Sequence, residues 1–449
     1  GNLTEAKLWM SKLPVKLDVL PSHQECAKAM GSSKGRNYFE TYERMELLGE
    51  ELYRTTAQEK WNEQTTIKDD VDGSGYGIGI KPRLICAVTT HDQVKTMQIA
   101  RALTTFAKDL FDGKRIFRIG NYSARIAIAR TTSEDLNGLP VSLAGPPLIV
   151  VLGDDSACFN NGTRGAPFPG VASEGDYSAY DHTQHKPLWD ALSEWCKAWD
   201  IPREWMDVIY ECVVRALKGG KKFPEPAKIS AKVHIQMHSG VSITSIVGSF
   251  FNITNYANAM LKDIDLATSS KQLGFKLKQV VHDRIEDVTF LRGWWQPNAT
   301  GGHSWVNLPS LCLKLGKLFK DPVVMIKGPG DRSEKTAMVF RAVMESVSGL
   351  PDDYPILGAF RTVARRLAGE DERLKKLMLD PYIAENMRWK VFGKAECSRE
   401  AVMEAVMRRY DVTEHEVEEA ERLIMSVTRL PCLVSHRVFE RMRDVDYAP

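Results

Sequence analysis

A continuous apolar strand that runs into two adjacent carboxylates constrains this sequence more than any other feature. The stretch Leu148–Phe159 reads LIVVLGDDSACF, so five apolar residues precede Gly-Asp-Asp and a second apolar run follows. A continuous apolar run predicts a strand buried on both faces, and Gly followed by Asp favours a turn. We therefore predict a β-hairpin with Asp154 and Asp155 at its tip. Such a concentration of negative charge is costly unless a cation neutralises it.

A second acidic segment, DYSAYD, carries Asp176 and Asp181. A strand through the whole segment would place these two acids on opposite faces, because their separation is five residues. A strand that ends near Asp176 and turns into a helix around Asp181 would let both face one cleft. Asp154 and Asp176 on neighbouring strands would then be able to hold two magnesium ions about 3.5–4 Å apart. The alternative interpretation is a pair of solvated turns.

Two further motifs carry groups that suit a nucleotide. In SGVSITSIVGSFFN, Ser239 and Gly240 precede a helix that contains Thr244, and the amino terminus of a helix suits a phosphate or a ribose. In KPRLIC, Lys81 and Arg83 alternate along a predicted strand and would project the same way, as a grip for a triphosphate requires. The alternatives are a capped amphipathic helix and a solvated strand face.

Composition indicates a globular protein. The 449 residues are 43% hydrophobic and 26% charged, and 60 Lys and Arg face 58 Asp and Glu, so nucleic-acid binding would need a local basic groove. The eight cysteines form no Cys-x-x-Cys pair, which predicts reduced thiols in an intracellular protein without structural zinc. The chain starts at Gly1 rather than Met, which indicates processing, trimming or a fragment.

Local patterns predict several elements outside the acidic segments. Thr41–Trp61 is the clearest predicted helix of the amino-terminal part, and a mixed α/β half is expected to precede a helical carboxy-terminal region from about Ser333 onward. Within that region, Thr413 and Glu416 have the spacing of a capping box. No apolar run is long enough to cross a membrane.

Taken together, the motifs resemble those of viral RNA-dependent RNA polymerases. DYSAYD, SGVSITS and LGDDS look like motifs A, B and C, and KPRLI is similar to motif F. Downstream, GFKLK resembles motif D and VTFLRGWW resembles motif E. The C–A–B order is similar to that of the permuted polymerases of birnaviruses and permutotetraviruses. Birnavirus enzymes carry Ala-Asp-Asn at the hairpin tip, so Gly-Asp-Asp favours the permutotetravirus type.

The resemblance implies a right-hand fold of the α+β class, with an antiparallel palm sheet and permuted connectivity. Fingers would come from residues 1–140 and 184–235. The palm would comprise residues 141–183 and 236–300, and the mostly helical thumb residues 301–449. The implied activity is template-directed RNA synthesis by two-metal phosphoryl transfer from nucleoside triphosphates to a 3′-hydroxyl, in viral genome replication and transcription.

The resemblance also implies roles for individual residues. Asp176 and Asp154 would be the principal ligands of Mg²⁺ or Mn²⁺, with Asp155 auxiliary and the Tyr177 carbonyl an extra ligand. Asp181 would sense the ribose 2′-hydroxyl. The remaining nucleotide contacts would come from Ser239, Gly240, Thr244, Lys81 and Arg83, and either Lys278 or Lys276 would give a proton to pyrophosphate.

This sequence departs from the family pattern at Gly248. The family usually has Asn at this position, four residues after the motif B threonine, where it helps to read the ribose. Asn252 and Asn255 lie one and two turns further along the predicted helix, so we expect Asn252 or Asn255 to make the nucleotide contact. The alternative is that Asp181 and Ser239 suffice.

The implied partners are an RNA template and product, nucleoside triphosphates and a protein-linked primer made by self-nucleotidylation, with no stable membrane insertion. The expected location is the host cytoplasm, or the virion. Three alternatives remain at this level. A reverse transcriptase or DNA polymerase shares the two-metal palm, a divalent-metal phosphohydrolase would explain the acids alone, and a non-enzymatic RNA-binding protein would carry the acids for structure only.

Overall fold

The computed structural model of the chain describes residues 3–15, 17, 19–30, 32–48, 55–59, 84–88, 90–129, 136–160, 167–213, 217–219, 230–231, 237, 242–315, 321–347, 349–378 and 395–447. The chain divides into two compact units. The first comprises Gly1–Gln64, Lys81–Ala129 and Leu143–Val281, and the second comprises Thr65–Ile80, Arg130–Ser142 and His282–Pro449. Among the described residues, no helix combines the length and the apolar character needed to cross a bilayer.

The first unit contains both helices and strands. Its described helices are α1 (Thr4–Ser11), α2 (His23–Ala29), α3 (Ser32–Leu48), α4 (Thr90–Leu110), α5 (Tyr180–Thr183), α6 (Lys186–Ala198), α7 (Arg203–Val213), α8 (Thr244–Lys262) and α9 (Leu266–Leu273). Its described strands are β1 (Thr55–Glu59), β2 (Leu84–Val88), β3 (Asp112–Ile119), β4 (Tyr122–Ile128), β5 (Leu148–Leu152), β6 (Asp155–Phe159), β7 (Ala172–Tyr177), β8 (Leu217–Gly219), β9 (Ser230–Ala231) and β10 (Leu277–His282).

A six-stranded sheet in the order β10-β7-β6-β5-β4-β3 forms the centre of this unit. The pairs β3–β4, β5–β6 and β6–β7 are antiparallel, whereas β4–β5 is parallel. Helix α8 packs against β3, β4 and β5, and every residue from Ile246 to Met260 is buried, as expected for a helix that is apolar on most sides. Helices combined with a mainly antiparallel sheet confirm the predicted α+β class.

The predicted helix over Thr41–Trp61 is wrong at Thr55–Glu59. Helix α3 ends at Leu48, and Thr55–Glu59 is instead the strand β1. Strand β1 pairs with β2 in an antiparallel register and with β8 in a parallel one, in a small sheet of order β2-β1-β8-β9. Two β-branched threonines open this strand, and pairing with distant strands overrides the helical pattern that precedes it.

The second unit is mostly helical. Its described helices are α10 (Cys312–Leu315), α11 (Pro322–Met325), α12 (Arg332–Met344), α13 (Leu357–Leu367), α14 (Glu372–Met378), α15 (Arg399–Tyr410), α16 (Glu414–Met425) and α17 (Arg437–Asp446). A three-stranded antiparallel sheet precedes them, with β11 (Thr289–Phe290), β12 (Gly293–Pro297) and β13 (His303–Asn307). Short 3₁₀ turns cover Ile285–Asp287, Pro309–Leu311 and Glu345–Val347.

Hydrogen bonds tie the three-stranded sheet to the helices of the second unit. The Trp294 indole N–H donates to the Tyr354 hydroxyl at 3.1 Å, and this hydroxyl donates to the Asn307 carbonyl at 2.5 Å. Trp294 and Tyr354 also share one apolar core with the carboxy-terminal helices. The chain from His282 onward accordingly belongs to the second unit, whereas the predicted palm extends to residue 300. The division into three subdomains stays a prediction.

The predicted capping box at the start of α16 is confirmed. The Glu416 backbone N–H donates to Thr413 Oγ1 at 3.2 Å, and the Thr413 backbone N–H donates to Glu416 Oε2 at 2.8 Å. Both of these amides lie at the helix amino terminus, where no backbone carbonyl is available as a partner.

Candidate functional site

The acidic hairpin forms as predicted. Strands β5 and β6 pair so that Leu152 lies opposite Asp155, which leaves Gly153 and Asp154 as a two-residue turn. Gly153 has φ +59°, a conformation that glycine adopts at no steric cost and that positions of two-residue hairpin turns require. The Asp154 side chain is exposed at the tip, and Asp155 is half-buried. The turn therefore presents two adjacent carboxylates at one end of the central sheet.

Helix α8 holds this turn through side chains on two successive turns of the helix. The Gly153 backbone N–H donates to Ser249 Oγ at 2.9 Å. The Asn252 amide donates to the Gly153 carbonyl at 3.1 Å and to the Asp155 carbonyl at 3.3 Å. Both backbone groups of Gly153 are thus satisfied from below, and the turn is fixed relative to the helix.

Strand β7 brings a third carboxylate beside the turn. Gly175 lies opposite Ser156 in the antiparallel β6–β7 pair, and continuing this register by one residue sets Asp176 opposite Asp155. Ser156 faces α8, because the Tyr256 hydroxyl donates to its Oγ at 3.0 Å. Successive residues alternate between faces, so Asp155 and Asp176 lie on the face of the sheet away from α8. The exposed side chain of Asp176 agrees with this orientation.

Tyr177, the next residue, points to the helix side instead. Its hydroxyl donates to Asn252 Oδ1 at 3.1 Å and accepts from Asn255 Nδ2 at 2.7 Å. Complete burial raises the pKa of this hydroxyl, so the phenol keeps its proton and remains a donor. The Tyr177 side chain therefore locks β7 onto α8, and the metal contact predicted for its carbonyl stays a prediction.

The DYSAYD segment turns from strand into helix as predicted. Strand β7 ends at Tyr177, and α5 begins at Tyr180 after Ala179, whose φ of +51° is left-handed. This conformation costs a residue with a Cβ about 1–2 kcal/mol. It separates the strand from the helix, in which Asp181 is the second residue. Burial raises the pKa of the half-buried Asp181 carboxyl, and the charge of His182 opposes that shift.

Gly248 lies directly beneath the acidic turn. A Cβ on this residue would sit 3.3 Å from Tyr180 Cε1 and 3.4 Å from Gly153 Cα, which is closer than a side chain packs comfortably. The Tyr180 hydroxyl also donates to the Gly248 carbonyl at 2.7 Å. The absence of a side chain at this position lets α5, α8 and the turn approach one another closely. Close packing therefore explains why glycine stands at position 248, which the sequence did not reveal.

Asn252 and Asn255 lie on the side of α8 that faces the central sheet. Both side chains are completely buried, and their amides bond to the turn, to Tyr177 and to Ser270. A fully buried amide with these partners supports the turn, because the register of α8 points this stripe of residues at the sheet. The nucleotide contact predicted for Asn252 stays a prediction.

Two predicted proton donors lie on the same face of the sheet as Asp176. Strand β10 neighbours β7, and Leu277 packs near Gly175 on the helix side. By alternation, Lys276 and Lys278 project to the opposite face, where both are exposed. The Lys276 carbonyl accepts from the Ser178 backbone N–H at 2.9 Å, which joins this segment to the end of β7.

Thr244, another predicted nucleotide contact, is the first residue of α8. It therefore lies at the amino terminus of the helix that supports the turn, where backbone N–H groups are directed outward. The other predicted nucleotide contacts lie outside the described residues and stay predictions: Lys81, Arg83, Ser239 and Gly240.

Sequence reasoning missed the residues that build the site from beneath. Ser249 and Tyr180 bond the turn and α8, although neither was singled out. Ser249 and Asn252 are three residues apart, and that spacing puts both on one face of a helix. A hydroxyl and an amide side chain at this spacing, inside a largely apolar helix, were the sequence signal that could have identified this support.

The residues present fit a divalent cation at the exposed face. Magnesium takes one or two carboxylates together with substrate phosphates and keeps several waters, and cross-strand neighbours in a β-ladder have Cα atoms about 4.5–5.5 Å apart. Asp155 and Asp176 meet this requirement, with Asp154 beside them. Within the described part of the chain, no group of three or more His, Cys, Asp or Glu side chains is already arranged around a metal position.

No protein-family model matches the chain. No curated protein matches it at a significant level. A functional assignment therefore depends on the motifs and on the geometry that brings them together.

Proposed function

We propose that this chain is a template-directed RNA polymerase that transfers nucleotidyl groups from nucleoside triphosphates to a 3′-hydroxyl. One observation carries the proposal. The Gly-Asp-Asp turn and Asp176 belong to adjacent strands with one supporting helix beneath them, although the turn comes first in the sequence. Function depends on the arrangement of a site and not on the order of its segments, so a permuted chain is able to carry out the same chemistry.

In the proposed mechanism, Asp154, Asp155 and Asp176 would hold two Mg²⁺ or Mn²⁺ ions. Bound cations lower the pKa of an attacking hydroxyl and neutralise charge on a leaving pyrophosphate. Ser249 and Asn252 fix the turn, which keeps the carboxylates in place without reorganisation during the reaction.

The remaining groups would handle the nucleotide. Lys276 or Lys278 would donate a proton to pyrophosphate from the face that carries Asp176. Asp181 would accept the ribose hydroxyl, and Thr244 would contact the nucleotide from the amino terminus of α8. Lys81 and Arg83 would hold the triphosphate, with Ser239 and Gly240 beside the template. The thumb would come from the mostly helical residues 301–449, with fingers and palm before it in the chain.

The test is incorporation of labelled nucleotides on a short RNA template with Mg²⁺ or Mn²⁺. Asp154→Asn and Asp176→Asn are each expected to lower the rate by at least about a hundredfold, since a ligand of a catalytic metal is worth several kcal/mol. Asp190→Asn is the matched control. Asp190 is an exposed acid of the same unit whose partner is Lys186, four residues away on α6, and its loss should leave the rate unchanged.

Three results would decide against the proposal or refine it. A folded wild-type chain that incorporates no nucleotide on any template would overturn it. Template-independent hydrolysis of triphosphates, abolished by the same substitutions, would indicate a phosphohydrolase. Label that stays covalently attached to the chain on a denaturing gel would support priming by self-nucleotidylation.

A further inference from the structure

Gln184 is a buried amide whose side chain has no hydrogen-bond partner among the residues that the structure describes. It follows α5 directly and is completely buried. Neither its Nε2 nor its Oε1 bonds to any atom in the described part of the chain. The backbone, by contrast, is anchored, because the Trp189 indole N–H donates to the Gln184 carbonyl at 3.0 Å. A buried amide without partners destabilises the folded state, so its presence needs a reason other than stability.

The position of Gln184 suggests that reason. A Cβ on Gly248 would lie 3.8 Å from Gln184 Nε2 and 3.4 Å from Gly153 Cα. The amide therefore lies within ordinary contact distance of this glycine, close to the acidic turn. Gln184 also follows Asp181 by three residues, and residues at this spacing on a helical turn lie on the same face within reach of each other. The unpartnered amide thus lies beside Gly248 under the acidic turn, and Asp181 precedes it by three residues in the chain.

We infer that Gln184 is a positioning residue that orients Asp181 for recognition of a ribonucleotide's sugar. The inference rests on the proposed function, because Asp181 is the proposed contact to the ribose hydroxyl. When a ribonucleotide binds, Gln184 Nε2 donates to one oxygen of the Asp181 carboxylate. The other oxygen is then held in the direction from which it accepts the sugar hydroxyl. A carboxylate oriented in this way discriminates against a deoxyribonucleotide, which leaves that oxygen unpaired.

A positioning role and a purely structural role of Gln184 predict different effects on stability and on sugar selectivity. Gln184→Met removes the amide but keeps most of the side-chain volume. Because the amide has no partner in the free protein, the variant should unfold at the same or a higher urea concentration than the wild type. Its ratio of kcat/KM for ATP over dATP should nevertheless fall by about ten- to a hundredfold. Losses of this size are typical when a side chain that orients a metal-ligating residue by a hydrogen bond is removed.

Two further variants give the experiment its controls. Gln296→Met removes an equally buried glutamine whose Nε2 donates to the Glu286 carbonyl at 2.9 Å. This variant should unfold more easily without a change in sugar selectivity. In an Asp181→Asn background, Gln184→Met should have no further effect on selectivity, since a residue that acts through Asp181 has nothing left to orient.

Equilibrium binding of ATP and dATP in the presence of Ca²⁺ provides a readout that is independent of polymerisation. A preference for ATP that Gln184→Met abolishes would support the inference even if no template were copied. A Gln184→Met variant that unfolds more easily and keeps the wild-type sugar preference would overturn it and assign the amide a structural role. An unchanged sugar preference with unchanged stability would overturn it as well, while template copying by the wild type would leave the proposed function intact.

Discussion

Substitution of Asn252 by alanine should reveal how strongly the proposed catalytic turn depends on α8. Three hydrogen bonds would be lost: from the amide to the Gly153 carbonyl at 3.1 Å, to the Asp155 carbonyl at 3.3 Å, and from the Tyr177 hydroxyl at 3.1 Å. Each contributes about 1 kcal/mol net. The Tyr177 hydroxyl keeps its bond from Asn255, so we expect the free energy of unfolding to fall by about 2–4 kcal/mol.

Asn258→Ala is the matched control for this substitution. Asn258 is equally buried in the same helix, and its amide donates to Ser269 Oγ at 2.9 Å and to Gln272 Oε1 at 3.3 Å. Its loss should cost about 1–3 kcal/mol by the same reasoning, but it contacts no part of the turn. Urea unfolding measures the stability of both variants, and nucleotide incorporation per folded molecule measures their activity.

The two variants should differ in activity more than in stability. Asn252→Ala removes the hydrogen bonds to the two carbonyls through which α8 fixes the turn. A displacement of catalytic groups by about 1 Å can cost about a hundredfold in rate. Asn258→Ala should change the rate less than about threefold. Equal activities for the two variants, at comparable losses of stability, would refute the view that Asn252 holds the carboxylates in place.

Three further predictions follow from the structure. Gly153→Ala should cost about 1–2 kcal/mol of stability through its left-handed conformation alone, because an added Cβ meets no atom within 4 Å; Gly153→Asn should cost less, and an equal loss for both in urea unfolding would contradict this. The raised pKa of Asp181 means that the folded state binds its proton more tightly than the unfolded state does. Its contribution therefore favours folding most below the ordinary value of 3.8 and falls as the pH rises through the folded pKa. Asp181→Asn should flatten the decline of unfolding free energy as the pH rises above 3.8, and parallel slopes for wild type and variant would speak against a buried ionising carboxyl. Thr413→Ala should lose about 1 kcal/mol by removing the capping box of α16, with Thr413→Ser close to wild type and nucleotide incorporation unaffected in both.

The parts of the site that follow from local pattern were predictable from the sequence. The apolar run Leu148–Leu152 and the Gly-Asp turn determine a hairpin through interactions between near neighbours, and the strand-to-helix transition between Asp176 and Asp181 follows from the spacing of the two acids. Asp155 lies opposite Asp176 because strand β7 follows β6 in the sequence and pairs with it. Short-range constraints of this kind are visible in a single sequence.

The support beneath the turn was not predictable, because it depends on contacts between distant segments. Asn252 is 99 residues from Gly153 along the chain, and no local pattern gives the rotation of α8 that points its amide at the turn. For the same reason Gly248 looked like a missing side chain, whereas the close approach of Tyr180 and Gly153 explains it. Thr55–Glu59 was assigned to a helix because its pairing partners in β2 and β8 lie far along the chain.

The order of strands in the central sheet has a consequence for how the chain assembles. From β3 to β7, strands that are consecutive in the sequence are also neighbours in the sheet. Contacts between near segments close short loops and form quickly. The acids from Asp154 to Asp181 would therefore come together during synthesis before α8 has left the ribosome. Until Ser249 and Asn252 arrive, three close carboxylates lack their support, and pulse-labelled hydrogen exchange should show β5–β7 protected earlier than Gly153.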